Sequence, residues 1–374
     1  MPRVPFALRA ALVATLLLGG LAAQESRRAF RGADRPRTFA FPADHGSHPD
    51  HRVEWWYVTG RLDADDGATY GFQFTVFRAG LPGAPESRPS RLAARDLWFG
   101  HLALTDVRGG RFLHDERASR GMLGSASAAV GGLDVRLDDW TFRAESDGAW
   151  RIVAASTGDV PFALDLRLRP AKPPVLHGAE PGLSRKGALP TQSSYYVSLT
   201  RLDGDGALTL DGRQVPVRCG AWFDHEFGSD QLAEDVAGWD WFALRFDDGA
   251  DLMLYRLRRS DGSTTPWSSG TFVAPDGRTT HLAADAARVV PTGSWKSPRS
   301  GATYPSGWRI EVPSLALVCD FAPLLTDQEL TTDRSTRVVY WEGACDGAGT
   351  REGRRVAARA YVELTGYAGP VARF

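Results

Sequence analysis

Cysteine is scarce: Cys219, Cys319 and Cys345 are the only three in 374 residues. Their odd number leaves at least one thiol free, and their spacing is not that of a zinc site. Cys319 and Cys345 fall on neighbouring expected strands and could pair. The fold is not expected to depend on a disulfide. Net charge is nearly absent as well. The 44 basic and 45 acidic side chains leave a formal charge of -1, which gives no electrostatic footprint for nucleic acid. After residue 21 no apolar run is long enough for a membrane span. There is no GxSxG elbow, HExxH, P-loop or GxGxxG. Serine-hydrolase, zinc-protease, nucleotide and dinucleotide chemistry therefore lack their signatures. No metal and no organic cofactor are expected.

What the chain does have is tryptophan, glycine and proline, with 12, 40 and 23 residues. Many turns between short aromatic-rich runs point to an all-β protein rather than a helical bundle. Arg3 and Arg9 precede an apolar segment, Ala10 to Leu21, that ends in small residues. Residues 1–23 therefore read as a signal peptide and the mature chain as secreted or periplasmic. Peripheral association with the cell envelope is compatible with that location.

Residues 24–40 form an Arg-rich lead-in. A first domain is expected over 41–170, a Pro-rich linker over 171–192 and a second domain over 193–374. His45, His48 and His51 lie in a loop punctuated by prolines, where their spacing does not guarantee a common face. They read as a solvated polar loop rather than a metal site. The runs 54–62 and 69–78 alternate as strands around Asp65-Asp66-Gly67, a hairpin. An echo follows in 239–258 around Asp247-Asp248-Gly249-Ala250, which supports two related β domains. Closing each sheet into a barrel would remove its exposed edges. Only 231–237 and 326–334 look helical.

The densest chemistry lies in 219–259. Asp224, His225 and Glu226 stand in a row beside Trp222 and Phe227, and Asp240 lies between Trp239 and Trp241. A carboxyl group desolvated by large aromatics has a raised pKa and can act as an acid near neutrality. Asp240 or Asp224 is the candidate acid, with Glu226 a further catalytic candidate. His225 would shuttle or orient the proton, and Trp222, Trp239 and Trp241 would wall an apolar ligand. If 222–227 is extended, Trp222, Asp224 and Glu226 face one way and Phe223, His225 and Phe227 the other. The competing reading for Asp224 and Glu226 is an ion pair with Arg at a barrel rim. Glu54, Trp55, Trp56 and Tyr57 form a second cluster, counted with the Trp residues as candidate substrate-binding residues; its aromatics are read as core or as the lining of the contact between the two domains.

The segments EWWYVTGRL (54–62), SSYYVSLTRL (193–202), AWFDHEFGS (221–229), GWDWFALRFDDG (238–249) and YVELTGY (361–367) resemble the AttH/carotenoid 1,2-hydratase family over about residues 38–370. The resemblance implies two tandem lipocalin-like antiparallel β-barrels with a pocket associated with their contact. It also implies cofactor-free, acid-catalysed addition of water to an isoprenoid double bond. Fungal relatives of this fold catalyse cyclisations. Glu226 stands where the hydratases' DHN-type segment would place an amide, and Asp240 interrupts the GW-x-W segment. The expected function is a secreted hydrolase or hydratase acting on an apolar, isoprenoid or lipid-like molecule. The alternatives are a periplasmic carrier of such a ligand and a structural or export-associated envelope protein.

Overall fold

Alternating apolar residues decide the architecture. In Thr69–Gly80 the side chains of Tyr70, Phe72, Phe74 and Val76 all enter one apolar core. In Val236–Phe246 those of Phe242, Leu244 and Phe246 enter another. A computed structural model describes residues 29–84, 90–369 and 371. The expected signal peptide, and residues 24–28 of the lead-in, lie outside the described residues.

Each core is enclosed by a nearly closed antiparallel sheet. The first sheet has thirteen strands, with Val53–Ala64 flanked by Thr69–Gly80 on one side and Arg213–Gly228 on the other. The second has ten, with Val236–Phe246 between Asp251–Arg259 and Arg354–Leu364, followed by Val339–Arg351. No α-helix occurs among the described residues. Of the two segments expected to be helical, 231–237 is a loop that runs into the strand Val236–Phe246, and 326–334 holds a short strand, Glu329–Thr331.

The sheets do not divide where the composition changes. Ser193–Leu210 and Arg213–Gly228, expected in the second domain, belong to the first sheet. The reason is register: Gly228 to Val217 pair without a break against Val53 to Ala64, and the first barrel cannot close without that strand. The crossover is residues 229–235. The expected linker is also not a free tether. Val175–Leu176 and Leu183–Arg185 both pair with Ser193–Leu210.

The echoed hairpins share their turn chemistry. Asp66 Oδ1 accepts the Ala68 amide and Asp248 Oδ1 accepts the Ala250 amide, each at 2.9 Å. The glycine between them sits at φ 79° and 89°, a left-handed conformation that disfavours a side chain. All three cysteines are free and buried. Cys319 and Cys345 are on neighbouring strands but out of register, opposite Gly349 and Pro323, so the pairing open to them from sequence is not made.

The outer faces of the two sheets pack on each other. Tyr57, Tyr196 and Trp222 of the first meet Trp241, Met253, Tyr255 and Tyr361 of the second. The approach is close: a Cβ on Gly71 would lie 2.6 Å from the Ala344 Cβ. Strands at this contact are covered on both sides, which is why EWWYVTGRL carries aromatics at consecutive positions rather than alternating with polar residues.

Candidate active site

Asp224 lies on this contact face and is buried, 3% exposed. Its Oδ2 accepts the Tyr196 hydroxyl at 2.5 Å. Its Oδ1 accepts the Trp222 indole N–H at 2.6 Å and the Ser198 hydroxyl. Tyr196 Oη in turn accepts the Trp241 indole N–H at 3.0 Å, across the sheet contact. Burial raises the Asp224 carboxyl to about 7, against the pull of the Ser198, Tyr196 and Trp222 donors.

Behind Ser198 stands His177, from the segment expected to be a linker. Its Nε2 lies 2.6 Å from Ser198 Oγ and its Nδ1 2.8 Å from Thr271 Oγ1. Ser198 spends its proton on Asp224, so His177 Nε2 donates and Nδ1 accepts from Thr271. Burial, then the charge of Lys186, lowers His177 to about 3, which keeps it neutral as that tautomer requires. The chain Thr271–His177–Ser198–Asp224 thus orients donors toward one carboxyl group and spans both sheets.

Glu226 shares the face of Asp224. It accepts the Lys186 ammonium group and, at 2.5 Å, the Ser194 hydroxyl. Lys186 also lies over the rings of Tyr196 and Tyr255, 5.5 Å from each centroid. From the second sheet come Glu342 and Glu363, opposite each other in register. Burial, then the Trp239 donor and the charge of Asp224, leave Glu363 at about 8; burial and then Glu363 hold Glu342 well above the usual carboxyl range. Tyr57 donates its hydroxyl to Glu342, and Trp239 Nε1 donates to Glu363 Oε1 at 3.2 Å. Trp55, Trp239 and Glu363 keep some exposure and mark the outer side of the site.

The sequence candidates therefore separate. Asp224, Glu226, Trp222, Trp239, Trp241, Trp55 and Tyr57 come together at the contact. Asp240 does not. It projects to the opposite face of its strand, where its Oδ1 accepts Arg258 Nε at 2.8 Å and the Tyr367 hydroxyl at 3.0 Å. Asp240, expected as a candidate acid, is instead a buried ion-pair partner of Arg258. His225, Glu54 and Trp56 also leave the contact, pointing into the first barrel. His225 Nε2 donates to Glu54 Oε1 at 3.0 Å, and Trp56 Nε1 donates to the His45 carbonyl at 3.0 Å. His225 is thus Glu54's partner and not that of Asp224.

The histidine loop is buried rather than solvated. His48 Nδ1 contacts Glu54 Oε1 at 2.9 Å and its Nε2 contacts Asp44 Oδ1 at 2.9 Å, while Arg78 Nε donates to Glu54 Oε2 at 3.1 Å. His48, Glu54 and His225 offer ligand atoms within 4.8 Å of one another, a set that could hold a metal ion. Those atoms already satisfy each other, and Arg78 together with a His48 whose pKa is raised against its burial by Asp44 and Glu54 compensates the carboxylate. The cluster is complete as a hydrogen-bond network.

A groove of about 690 Å³ opens elsewhere along the sheet contact, lined by Arg61, Asp63, Arg218, Arg245, Asp346 and Arg359. Most of its charges cancel in pairs, Arg61 with Asp346 and Arg359 with Asp63 among them. Its lining has no indole, unlike the surroundings of Asp224.

Sequence reasoning missed His177, Lys186, Tyr196, Glu342, Tyr361 and Glu363. The run YVELTGY carried the last two, and alternation put Tyr361 and Glu363 on one face, but nothing local tied them to Asp224.

A family model described as AttH-like matches residues 32–367. Among solved structures, an AttH of Nitrosomonas europaea is 37% identical, with a TM-score of 0.80 over 90% of this chain and 100% of that one. Kievitone hydratase from Nectria haematococca aligns with a TM-score of 0.67 at 15% identity over 92% and 98% of the two chains. CghA, solved with Sch210972, gives a TM-score of 0.52 at 13% identity, over 91% and 97%. The last two likenesses carry the fold alone. No curated protein matches the chain.

Proposed function

The chain belongs to the AttH-like family, and on that premise we propose that it is a hydratase-like enzyme that adds water to an apolar, isoprenoid or lipid-like alkene by acid catalysis. One observation carries the reading. Asp224 is buried between the two sheets, holds a proton near neutrality, and lies within a shell of indole and phenol groups. A protonated carboxyl group there can give its proton to an alkene carbon, and the faces of Trp222 and Trp241 stabilise the cation that forms. Tyr196 bridges Asp224 to the second sheet, while His177 and Ser198 hold the carboxyl in place. Lys186 and Glu226 form an ion pair beside Asp224. The fold likeness to kievitone hydratase supports this reading only as far as the architecture goes.

A ligand carrier would be expected to offer a continuous apolar cavity without buried carboxyl groups, and the contact here is lined by four: Asp224, Glu226, Glu342 and Glu363. The Arg3–Ala23 segment supports action outside the cytoplasm, with the substrate drawn from the envelope.

The reading is tested by incubating the purified protein with a panel of acyclic isoprenoids and unsaturated fatty acids in oxygen-18 water. Mass spectrometry should detect a product that has gained labelled water, and Asp224→Asn should lose it. Labelled product formed equally by Asp224→Asn would end the assignment of the acid.

A further inference from the structure

Four polar atoms at the sheet contact make no hydrogen bond of ordinary length among the described residues: Thr59 Oγ1, Gln73 Oε1, Glu342 Oε2 and Tyr361 Oη. The Tyr340 hydroxyl lies beside Glu342 and Gln73 but gives its proton to His101 Nδ1 at 2.7 Å, because Ser335, bonded to Glu116, leaves His101 Nε2 as the donor. All four residues are buried, at 0%, 1%, 1% and 4% exposure. An unpaired polar atom in such a place costs its full desolvation, and natural proteins rarely leave several together. They are also close in the fold. Thr59 and Gln73 are opposite each other in register. Tyr361 stands opposite Ala344 and Glu363 opposite Glu342, which makes Tyr361 the diagonal neighbour of Glu342. Tyr57, two residues from Thr59 and on its face, donates its hydroxyl to Glu342 Oε1, leaving Oε2 as the free oxygen.

Buried water typically makes about three hydrogen bonds to such groups. We propose that Thr59, Gln73, Glu342 and Tyr361 form a water-holding subsite, and that the water held between Glu342 and Tyr361 is the one added to the substrate; this rests on the hydratase reading above. The placement fits. Tyr57 pairs in register with Asp224 on one side and bonds Glu342 on the other, so acid and water stand one aromatic side chain apart. In the step, Asp224 gives its proton to one alkene carbon and the π pair becomes the new C–H bond. The water oxygen then forms the C–O bond to the cationic carbon. The protonated oxygen then returns one proton to the Asp224 carboxylate. The product carries the added H and OH, and Asp224 is an acid again.

The test is a high-resolution crystal structure of the full chain beside those of Tyr361→Phe and Asp224→Asn. The wild type should show ordered water within hydrogen-bond reach of Glu342 Oε2 and Tyr361 Oη. Tyr361→Phe, which removes a hydroxyl with no protein partner, should lose that water and lower kcat for labelled-water addition about tenfold with KM unchanged. Direct pairing of these oxygens with protein groups, or an unchanged kcat in Tyr361→Phe, overturns the subsite. Asp224→Asn should keep the water. A dry contact with Asp224-dependent turnover removes the subsite alone, whereas bound water with a fully active Asp224→Asn removes the acid assignment alone.

Discussion

Asp224 and His225 are consecutive residues that serve different environments: Asp224 accepts the Tyr196 hydroxyl at 2.5 Å on the sheet contact, and His225 donates to Glu54 at 3.0 Å inside the first barrel. The strand between them is extended, so a pleat separates their side chains. Substitutions at the two positions should therefore have different consequences.

The pH profile reports on Asp224. Its carboxyl is raised to about 7, so the acid form dominates below that pH and is lost above it. kcat/KM should fall about tenfold per pH unit on the alkaline side, and Asp224→Asn should cost about 10²-fold or more. A wild-type profile that is flat from about pH 6 to 9 would contradict an acid role.

The same shift sets a stability difference. A carboxyl whose folded pKa is raised contributes stability that is complete below its ordinary value of 3.8 and is lost as pH rises through about 7. Asp224→Asn stays neutral and should gain on the wild type across that window. Urea denaturation at several pH values measures the gap, which should level off above about pH 7.

Asp240 should behave as a structural residue. Its partners are Arg258 at 2.8 Å and the Tyr367 hydroxyl at 3.0 Å, on the face away from Asp224. Asp240→Asn should leave turnover within a few-fold. It should destabilise the protein by about 2–4 kcal/mol, because the Arg258 charge loses its counter-ion. Loss of turnover in a stably folded Asp240→Asn would restore it to the candidate acids.

Glu54 is the shared acceptor of His48, His225 and Arg78. Its pKa lies well below the usual carboxyl value: burial opposes this, but the bonds from His225 and His48 and the charge of Arg78 outweigh it. A depressed carboxyl stabilises above its ordinary value of 4.5 and loses that contribution as pH falls through the folded value. Glu54→Gln should cost roughly 3–5 kcal/mol at neutral pH, measured by urea denaturation. That gap should narrow below pH 4.5.

The three thiols are buried, and burial pushes Cys319 up to about 12 and raises Cys219 and Cys345 as well. A thiol reagent should label none of them in the native protein and all three in denaturant. Fast labelling of the native state would show that a barrel opens.

The sequence alone determined the all-β class, the two echoed hairpins, the family resemblance and the facing of each residue within its strand. These are local properties: a period of two assigns Asp224 and Glu226 to one face and His225 to the other whatever surrounds them. The tertiary structure decided which face is covered, and by what. The strand at Gly228 closes the first barrel, so DHEFG and the Trp239–Trp241 pair meet across a contact between sheets rather than within one. That contact brings in His177, Lys186, Glu342, Tyr361 and Glu363 from far along the chain. It leaves Asp240 with Arg258 and turns the histidine loop into a buried network around Glu54. Register and sheet-on-sheet packing are long-range properties, and strand periodicity carries no information about them.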